Sequence, residues 1–151
     1  MPLDGSELAE TALPAAVELQ QKLGATMVLL RAIDPHGSTL IPRPAFFESP
    51  ASAAASVEMM QQIVAEERQE AQAYLHTIGG KFPDTRLETA IIEDSPPDAI
   101  VKLASERPGS LIVMSSHGHG GVLRLVFGSV TDAVLKASPT PVLLVRHSDD
   151  S

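Results

Sequence analysis

The chain alternates between short apolar runs and longer stretches in which apolar residues recur at helical spacing. Short, nearly continuous apolar runs are typical of strands that are buried in a parallel sheet. Three runs fit this pattern, and we predict strands over residues 26–33, 111–114 and 142–145. A fourth strand is predicted over residues 85–92, which alternate loosely between polar and apolar and end in Ile91 and Ile92. Residues 2–3 are a stub of a further strand ahead of the first helix.

Helical patterns separate these apolar runs. A first helix is predicted to begin after Ser6, whose hydroxyl suits an N-cap, and to end at Gly24, with Pro14 as a kink. Three further helices are predicted, over residues 57–78, 96–104 and 129–136. The proline-rich residues 34–56 are predicted as a loop, and their composition leaves open whether this loop is a lid or a tether.

The alternation of helices and strands predicts the fold class. We expect one domain, residues 1–151, with an α/β fold. Strands that follow one another through helices form a parallel sheet, and the helices cover both of its faces. The sequence therefore predicts an open, parallel, five-stranded sheet of Rossmann-like type, with its first strand truncated.

Charge and composition argue against several classes of partner and site. A net charge of −8 and an aromatic content of 3% argue against a nucleic-acid-binding surface. The chain has no cysteine, which excludes disulfides and thiolate metal sites. No apolar stretch is long enough to span a membrane, and residues 1–6 do not resemble a secretory signal. We therefore expect a cytoplasmic protein without membrane or nucleic-acid partners.

The segment after the predicted strand over residues 111–114 carries the candidate chemistry. Ligands of open parallel sheets bind beyond the carboxyl ends of the strands. Gly118 lies there, and Gly128 and Ser129 open the next helix. Glycines let the main chain approach an anion, while the N–H groups and positive dipole of a helix N-terminus favour phosphate, with the hydroxyls of Ser129 and Thr131 as further donors. The alternative is a plain flexible loop with an N-cap.

Several segments together resemble the universal stress protein family over nearly the whole chain. They are residues 2–7, 111–114, 116–118, 128–130 and 139–145. In the ATP-binding branch of that family the motif is Gly, two residues, Gly, nine residues, Gly, then Ser or Thr. Gly118, Gly128 and Ser129 match its last three positions, whereas Ser115 replaces the first glycine. The resemblance implies an adenine nucleotide alpha hydrolase-like fold.

The resemblance also implies the ligand and its contacts. ATP is the implied cofactor, and Mg²⁺ is the metal that would accompany it. Asp4 would approach the adenosine, Ala32 would line the adenine pocket, and Val130 and Thr131 would lie beside the phosphates. The complete implied nucleotide-binding set is Pro2, Leu3, Asp4, Ala32, Met114, Ser115, His117, Gly118, His119, Gly128, Ser129, Val130 and Thr131.

The start of the chain departs from the family pattern. Family members carry an apolar strand before the Pro-Leu-Asp segment, in the middle of the sheet, and here only Pro2 and Leu3 remain of it. Loss of a central strand would leave backbone groups unpaired on both neighbours, at a cost of a few kcal/mol each where they are buried. We hypothesise that the natural protein is longer at this end.

The expected role is nucleotide-dependent signalling or protection under stress, without turnover chemistry. No P-loop Gly-Lys-Ser/Thr and no Gly-x-Ser-x-Gly elbow occurs, so we expect at most slow ATP hydrolysis. His117 and His119 lack evident further metal ligands. A homodimer is expected through the strand from Val142 to Val145. Because Ser115 replaces a glycine, the alternative is a dimeric interaction module that binds no nucleotide.

Overall fold

Helices and strands alternate along the chain as the apolar pattern predicts. A computed structural model describes residues 1–35, 50–116 and 128–146, with the backbone alone at 50–53. Its elements in chain order are α1 (Glu7–Glu10), α2 (Leu13–Leu23), β1 (Met27–Ile33), α3 (Pro50–Gly80), β2 (Leu87–Glu93), α4 (Pro96–Ser105), β3 (Ile112–Ser116), α5 (Ser129–Ala137) and β4 (Val142–Arg146). Of these helices, none is both long enough and apolar enough to cross a membrane.

The strands form two parallel pairs. β1 pairs with β2 over its whole length, and β3 pairs with β4 in a register that joins Ile112 to Val142. Pro2 forms a single parallel bridge to Leu30 of β1. The predicted parallel α/β class is confirmed. Within the described ranges the strands form two separate two-stranded sheets, without a count of five strands, and the truncated first strand is reduced to the bridge.

Neighbouring residues of β1 belong to different hydrophobic cores because side chains alternate across a strand. Leu29 packs with Ala16 of α2 and with Leu75 of α3. Leu30 packs with Ile100 of α4 and Val134 of α5. The helices therefore cover both faces of the strand layer, as the sequence predicts.

The first predicted helix is divided into two. The Ser6 hydroxyl accepts a hydrogen bond of 3.1 Å from the N–H of Ala9 and caps α1. α1 ends at Glu10, and α2 carries Pro14 in its first turn. Proline lacks an N–H and fits only the first turn of a helix, so the chain breaks before Pro14 instead of bending at it. Gly24 ends α2 with a φ of 61°, as predicted.

The second predicted helix begins earlier than the sequence suggests. α3 starts at Pro50 and contains 31 residues, so the prediction of a loop over residues 34–56 is wrong from Pro50 onward. Proline suits the first turn of a helix, and the alanine-rich stretch after it has high helix propensity. The remainder of that predicted loop, residues 36–49, lies outside the described residues.

The amino group of Met1 is held inside the protein. It donates a 2.7 Å hydrogen bond to the carbonyl of Val28. The Met1 carbonyl accepts from the N–H of Leu30 at 2.9 Å, and the N–H of Leu3 donates to the Leu30 carbonyl at 2.8 Å. Burial disfavours the charged ammonium and lowers the pKa of this amino group to about 5.

This burial predicts a pH dependence of stability. The folded state prefers the neutral amine, whereas the unfolded chain titrates near 8.0. The stabilisation that comes from keeping the Met1 amine neutral in the folded state is therefore complete above pH 8.0, and it is lost as the pH falls toward 5. Three pKa units correspond to a decrease of up to about 4 kcal/mol in the free energy of unfolding. Urea unfolding at pH values between 5 and 8 measures this decrease.

The matched control is the same chain with an acetylated N-terminus. Acetylation removes the titrating group and leaves every side chain unchanged, so the acetylated chain should lose this component of the pH dependence. Equal slopes of unfolding free energy against pH for the two forms would contradict the assignment.

Candidate functional site

The bridge at Pro2 sets the position of Asp4. Because Pro2 is in register with Leu30, the same parallel register carries Asp4 toward Ala32, near the carboxyl end of β1. Four residues of the predicted binding set, namely Pro2, Leu3, Asp4 and Ala32, are thus brought to one place. The carboxyl ends of parallel strands are where ligands of α/β sheets bind.

Asp4 presents an ionised carboxylate at an exposed turn. Its Oδ1 accepts hydrogen bonds from the backbone N–H of Ser6 at 2.9 Å and from the Ser6 hydroxyl at 2.6 Å. Partial burial raises the pKa of this carboxyl, but the bonds from Ser6 and the charge of Arg31 outweigh that effect and hold it below its ordinary value. Asp4 is therefore a hydrogen-bond acceptor at neutral pH.

Gly5 makes the turn between Asp4 and α1 possible. Its φ is +86°, in the left-handed region that side chains rarely adopt. A Cβ at Gly5 would lie 3.4 Å from Nη1 of Arg31, so the Arg31 side chain covers the inside of the turn. That same Nη1 lies 3.4 Å from the Leu3 carbonyl, toward which it donates.

The Arg31 side chain also contacts Tyr74, a residue that is not in the binding set predicted from the sequence. The guanidinium carbon of Arg31 lies 5.9 Å from the centre of the Tyr74 ring, within cation–π range. The Tyr74 hydroxyl donates to Oε1 of Glu10 at 3.1 Å, and Nζ of Lys81 lies 3.2 Å from Oε2 of the same residue. Burial, with the Glu10 carboxylate, raises the pKa of Tyr74 to about 12. Tyr74 therefore stays protonated and acts as a donor.

The second part of the predicted set lies at the end of β3 and the start of α5. Met114 is buried and Ser115 is half-buried, and they pair with Leu144 and Val145 of β4. At α5, the first backbone N–H with an intrahelical bond is that of Asp132, which donates to the Gly128 carbonyl at 2.9 Å.

The three N–H groups before Asp132, at residues 129–131, have no intrahelical acceptor because they open the helix. Gly128 is extended, and a Cβ built on it would meet nothing within 4 Å. Ser129 is exposed, whereas Thr131 is 7% exposed. Within the part of the chain that the structure describes, no acceptor outside the helix is paired with these three N–H groups, and they lie at the positive end of the helix dipole.

Three predicted site residues, His117, Gly118 and His119, lie outside the described residues. The predicted approach of the main chain at Gly118 to a phosphate therefore stays a prediction. Among the residues that the structure describes, no three or more histidine, cysteine, aspartate or glutamate side chains are grouped so that they could hold a metal.

Comparisons of the sequence with known proteins all match it to the same family. A model of the universal stress protein family matches residues 1–146. The chain is 27% identical to Universal stress protein MJ0531 of Methanocaldococcus jannaschii over 146 residues, which cover 97% of this chain and 79% of that protein. It is 28% identical to Universal stress protein MJ0577 of the same organism over 151 residues, covering 98% of this chain and 93% of that one.

Solved structures agree with the fold. The structure of MJ0577 superimposes with a TM-score of 0.74 at 26% identity, covering 99% of this chain and 94% of that chain. A universal stress protein in complex with cAMP superimposes with a TM-score of 0.57 at 22% identity, covering 98% and 94%. The first likeness confirms the α/β fold that the sequence predicts, and the second is a likeness of fold alone.

The Gly5 turn predicts a local loss of stability on substitution. Gly5→Ala places a side chain at a φ of +86° and should lower the free energy of unfolding by about 1–2 kcal/mol. Gly80→Ala is the matched control because Gly80 ends α3 and a Cβ there meets nothing within 4 Å. The control should be neutral or slightly stabilising in urea unfolding. Equal effects of the two substitutions would contradict this role of Gly5.

Proposed function

The chain belongs to the universal stress protein family, and from that premise we propose that it binds an adenine nucleotide, ATP, and acts as a nucleotide-dependent module of the stress response. The nucleotide would lie across the carboxyl ends of β1 and β3. The observation that carries the proposal is the N-terminus of α5, whose first N–H groups have no intrahelical acceptor and follow Gly128, a residue without a side chain.

The phosphates would be held by main-chain groups of α5. The N–H groups at residues 129–131 and the positive end of the helix dipole favour an anion without any lysine, which suits a chain with a net charge of −8. The exposed Ser129 hydroxyl would add a donor, and Val130 and Thr131 would lie beside the phosphates. The absence of a side chain at Gly128 would let a phosphate approach the helix closely.

The adenosine would lie at the carboxyl end of β1. Asp4 is ionised at neutral pH and would accept hydrogen bonds from ribose hydroxyls. The small side chain of Ala32 would leave room for the base, with Pro2, Leu3, Met114 and Ser115 completing this part of the site. A universal stress protein of similar fold has been solved in complex with cAMP, which is itself an adenine nucleotide. His117, Gly118 and His119 complete the proposed set by sequence.

The proposed mechanism is binding and conformational signalling. Bound nucleotide stabilises whichever conformation it binds better and so changes the surface that is offered to partners. Mg²⁺ would arrive with the phosphates and balance part of their charge. The sequence has no P-loop lysine, so rapid hydrolysis is not part of the proposal. We place this module in the cytoplasm as a single domain over residues 1–151.

A charge at the start of α5 tests the phosphate site. Ser129→Asp puts a carboxylate where the phosphates would lie and should weaken ATP binding at least tenfold, about 1.4 kcal/mol, in isothermal titration. The helix dipole favours a negative charge at this position, so the variant should fold at least as well as the parent chain.

Ser129→Asn is the control for this substitution because it has nearly the same shape without the charge. It should bind ATP much more tightly than Ser129→Asp. Indistinguishable affinities of the two variants would place the phosphates elsewhere. No change in melting temperature of the parent chain at millimolar ATP would contradict nucleotide binding itself and favour the nucleotide-free interaction module.

We also propose that two copies associate through β4, over Val142 to Val145. One edge of β4 pairs with β3, and among the described residues no strand pairs with its other edge. Leu143 is apolar and 38% exposed. An apolar strand edge of this kind favours pairing with a second strand.

A lysine on β4 tests the dimer. Leu143→Lys should convert a dimer to a monomer in size-exclusion chromatography with light scattering, because a charge on an edge strand opposes pairing. Leu135→Lys is the matched control: Leu135 is 39% exposed but lies on α5. Dissociation by Leu135→Lys alone would place the interface on the helix instead.

A further inference from the structure

The two carboxylate oxygens of Asp4 have different surroundings. Ser6 donates two hydrogen bonds to Oδ1, from its backbone N–H at 2.9 Å and from its hydroxyl at 2.6 Å. These bonds do not use Oδ2, and Asp4 is exposed, so a ligand can reach this second oxygen. An acceptor binds a hydroxyl more tightly when it is already held in the required orientation, because less ordering is then needed on binding.

The guanidinium of Arg31 lies behind the turn that carries Asp4. Its Nη1 is 3.4 Å from the carbonyl oxygen of Leu3 and 3.4 Å from the position that a Cβ on Gly5 would occupy. The guanidinium therefore lies beside the residues on both sides of Asp4. Its charge also acts on the carboxylate: burial raises the pKa of Asp4, whereas the bonds from Ser6 and the charge of Arg31 lower it.

The ring of Tyr74 fixes the orientation of Arg31. An arginine side chain has many rotamers, and an aromatic face that holds the planar guanidinium restricts them. The guanidinium carbon lies 5.9 Å from the centre of the Tyr74 ring, and both residues are half-buried. Because the bond from Arg31 to the Leu3 carbonyl is long, at 3.4 Å, the aromatic contact is needed to keep the guanidinium at the turn.

Tyr74 is also tied to the helix that follows the turn. Its hydroxyl donates to Oε1 of Glu10 at 3.1 Å. Glu10 is the last residue of α1, and α1 begins directly after the turn. The contacts therefore form a closed ring that runs from the turn through α1 and Tyr74 to Arg31, and from there back to the turn. Such a ring holds the turn at both of its ends, whereas a single contact would hold it at one.

We propose that Arg31 is a positioning residue of the nucleotide site: through the backbone of residues 3–5 it holds Asp4 where Oδ2 accepts hydrogen bonds from the ribose hydroxyls. This role rests on the proposed nucleotide binding at the carboxyl end of β1, and it belongs to a residue outside the predicted binding set. Arg31 acts on the nucleotide through Asp4 alone. Its removal should therefore weaken recognition of the ribose hydroxyls and leave recognition of the base and the phosphates unchanged.

Comparison of ATP with dideoxy-ATP, the analogue that lacks both ribose hydroxyls, measures this role. Isothermal titration gives the ratio of their dissociation constants, and the parent chain should favour ATP at least about tenfold, because hydrogen bonds to a charged acceptor are strong. Arg31→Met keeps an unbranched side chain without the charge and the donors, and it should reduce the ratio at least about threefold.

Arg31→Lys is the matched control, since it keeps a positive charge and a donor, and it should retain more of the ratio than Arg31→Met. A variant that is merely distorted binds both nucleotides less tightly and leaves the ratio as it was. A ratio near one in the parent chain, or a ratio that Arg31→Met leaves unchanged, would overturn the proposal.

Variants of Tyr74 provide a second test, which leaves Arg31 in place and serves equally where Arg31→Met does not fold. Tyr74→Leu removes the aromatic face and should reduce the ratio. Tyr74→Phe keeps the ring and should stay closer to the parent chain. Equal ratios in these two variants would contradict the orientation of Arg31 by the ring.

Failure of the proposed function and failure of this role give different results. No ATP binding by the parent chain would contradict the proposed function. ATP binding with the same ratio in the parent chain and in Arg31→Met would contradict the role of Arg31 alone. A titration of Asp4 in the ligand-free chain, followed by NMR of its carboxyl carbon, needs no nucleotide. The pKa of Asp4 should rise in Arg31→Met and not in Arg31→Lys, since only the first removes the positive charge, and equal values in the two variants would overturn the role.

Discussion

The hydrogen bonds between the start of the chain and Leu30 are the interaction on which the rest of the structure depends. Two bonds, of 2.8 Å and 2.9 Å, fix residues 1–3 alongside β1. They bury the Met1 amino group at one end and direct Asp4 toward the carboxyl end of β1 at the other. A three-residue segment therefore sets the position of Asp4 at the proposed nucleotide site through one register.

Much of this architecture could be predicted from the sequence because it depends on local pattern. The apolar runs that became β1, β3 and β4, the cap at Ser6 and the left-handed Gly24 follow from rules that concern a few neighbouring residues. The start of α3 did not, since Pro50 continues the proline-rich pattern of the preceding segment but also suits the first turn of a helix. The break before Pro14 depended on which turn of a helix that proline would occupy.

Some residues of the proposed site could likewise be predicted from the sequence, and others could not. Gly128 and Ser129 were predicted from composition, and the structure places them at the open start of α5. The support behind Asp4 was not predicted, because Tyr74 contacts Glu10 across 64 positions of the sequence. Its only signal was its rarity, as the one tyrosine in the chain.

The length of α3 implies an uneven distribution of stability along one helix. At about 1.5 Å per residue, its 31 residues extend about 46 Å, twice the length of the seven-residue β1. Of its side chains at residues 54–80, those that are buried are Ala71, Leu75 and Ile78, in the last third, whereas Val57 and Met59 are half exposed. The end near Gly80 is therefore held by the core. The part around Val57 and Met59 buries less side chain within the described residues, so unwinding can begin there without global unfolding.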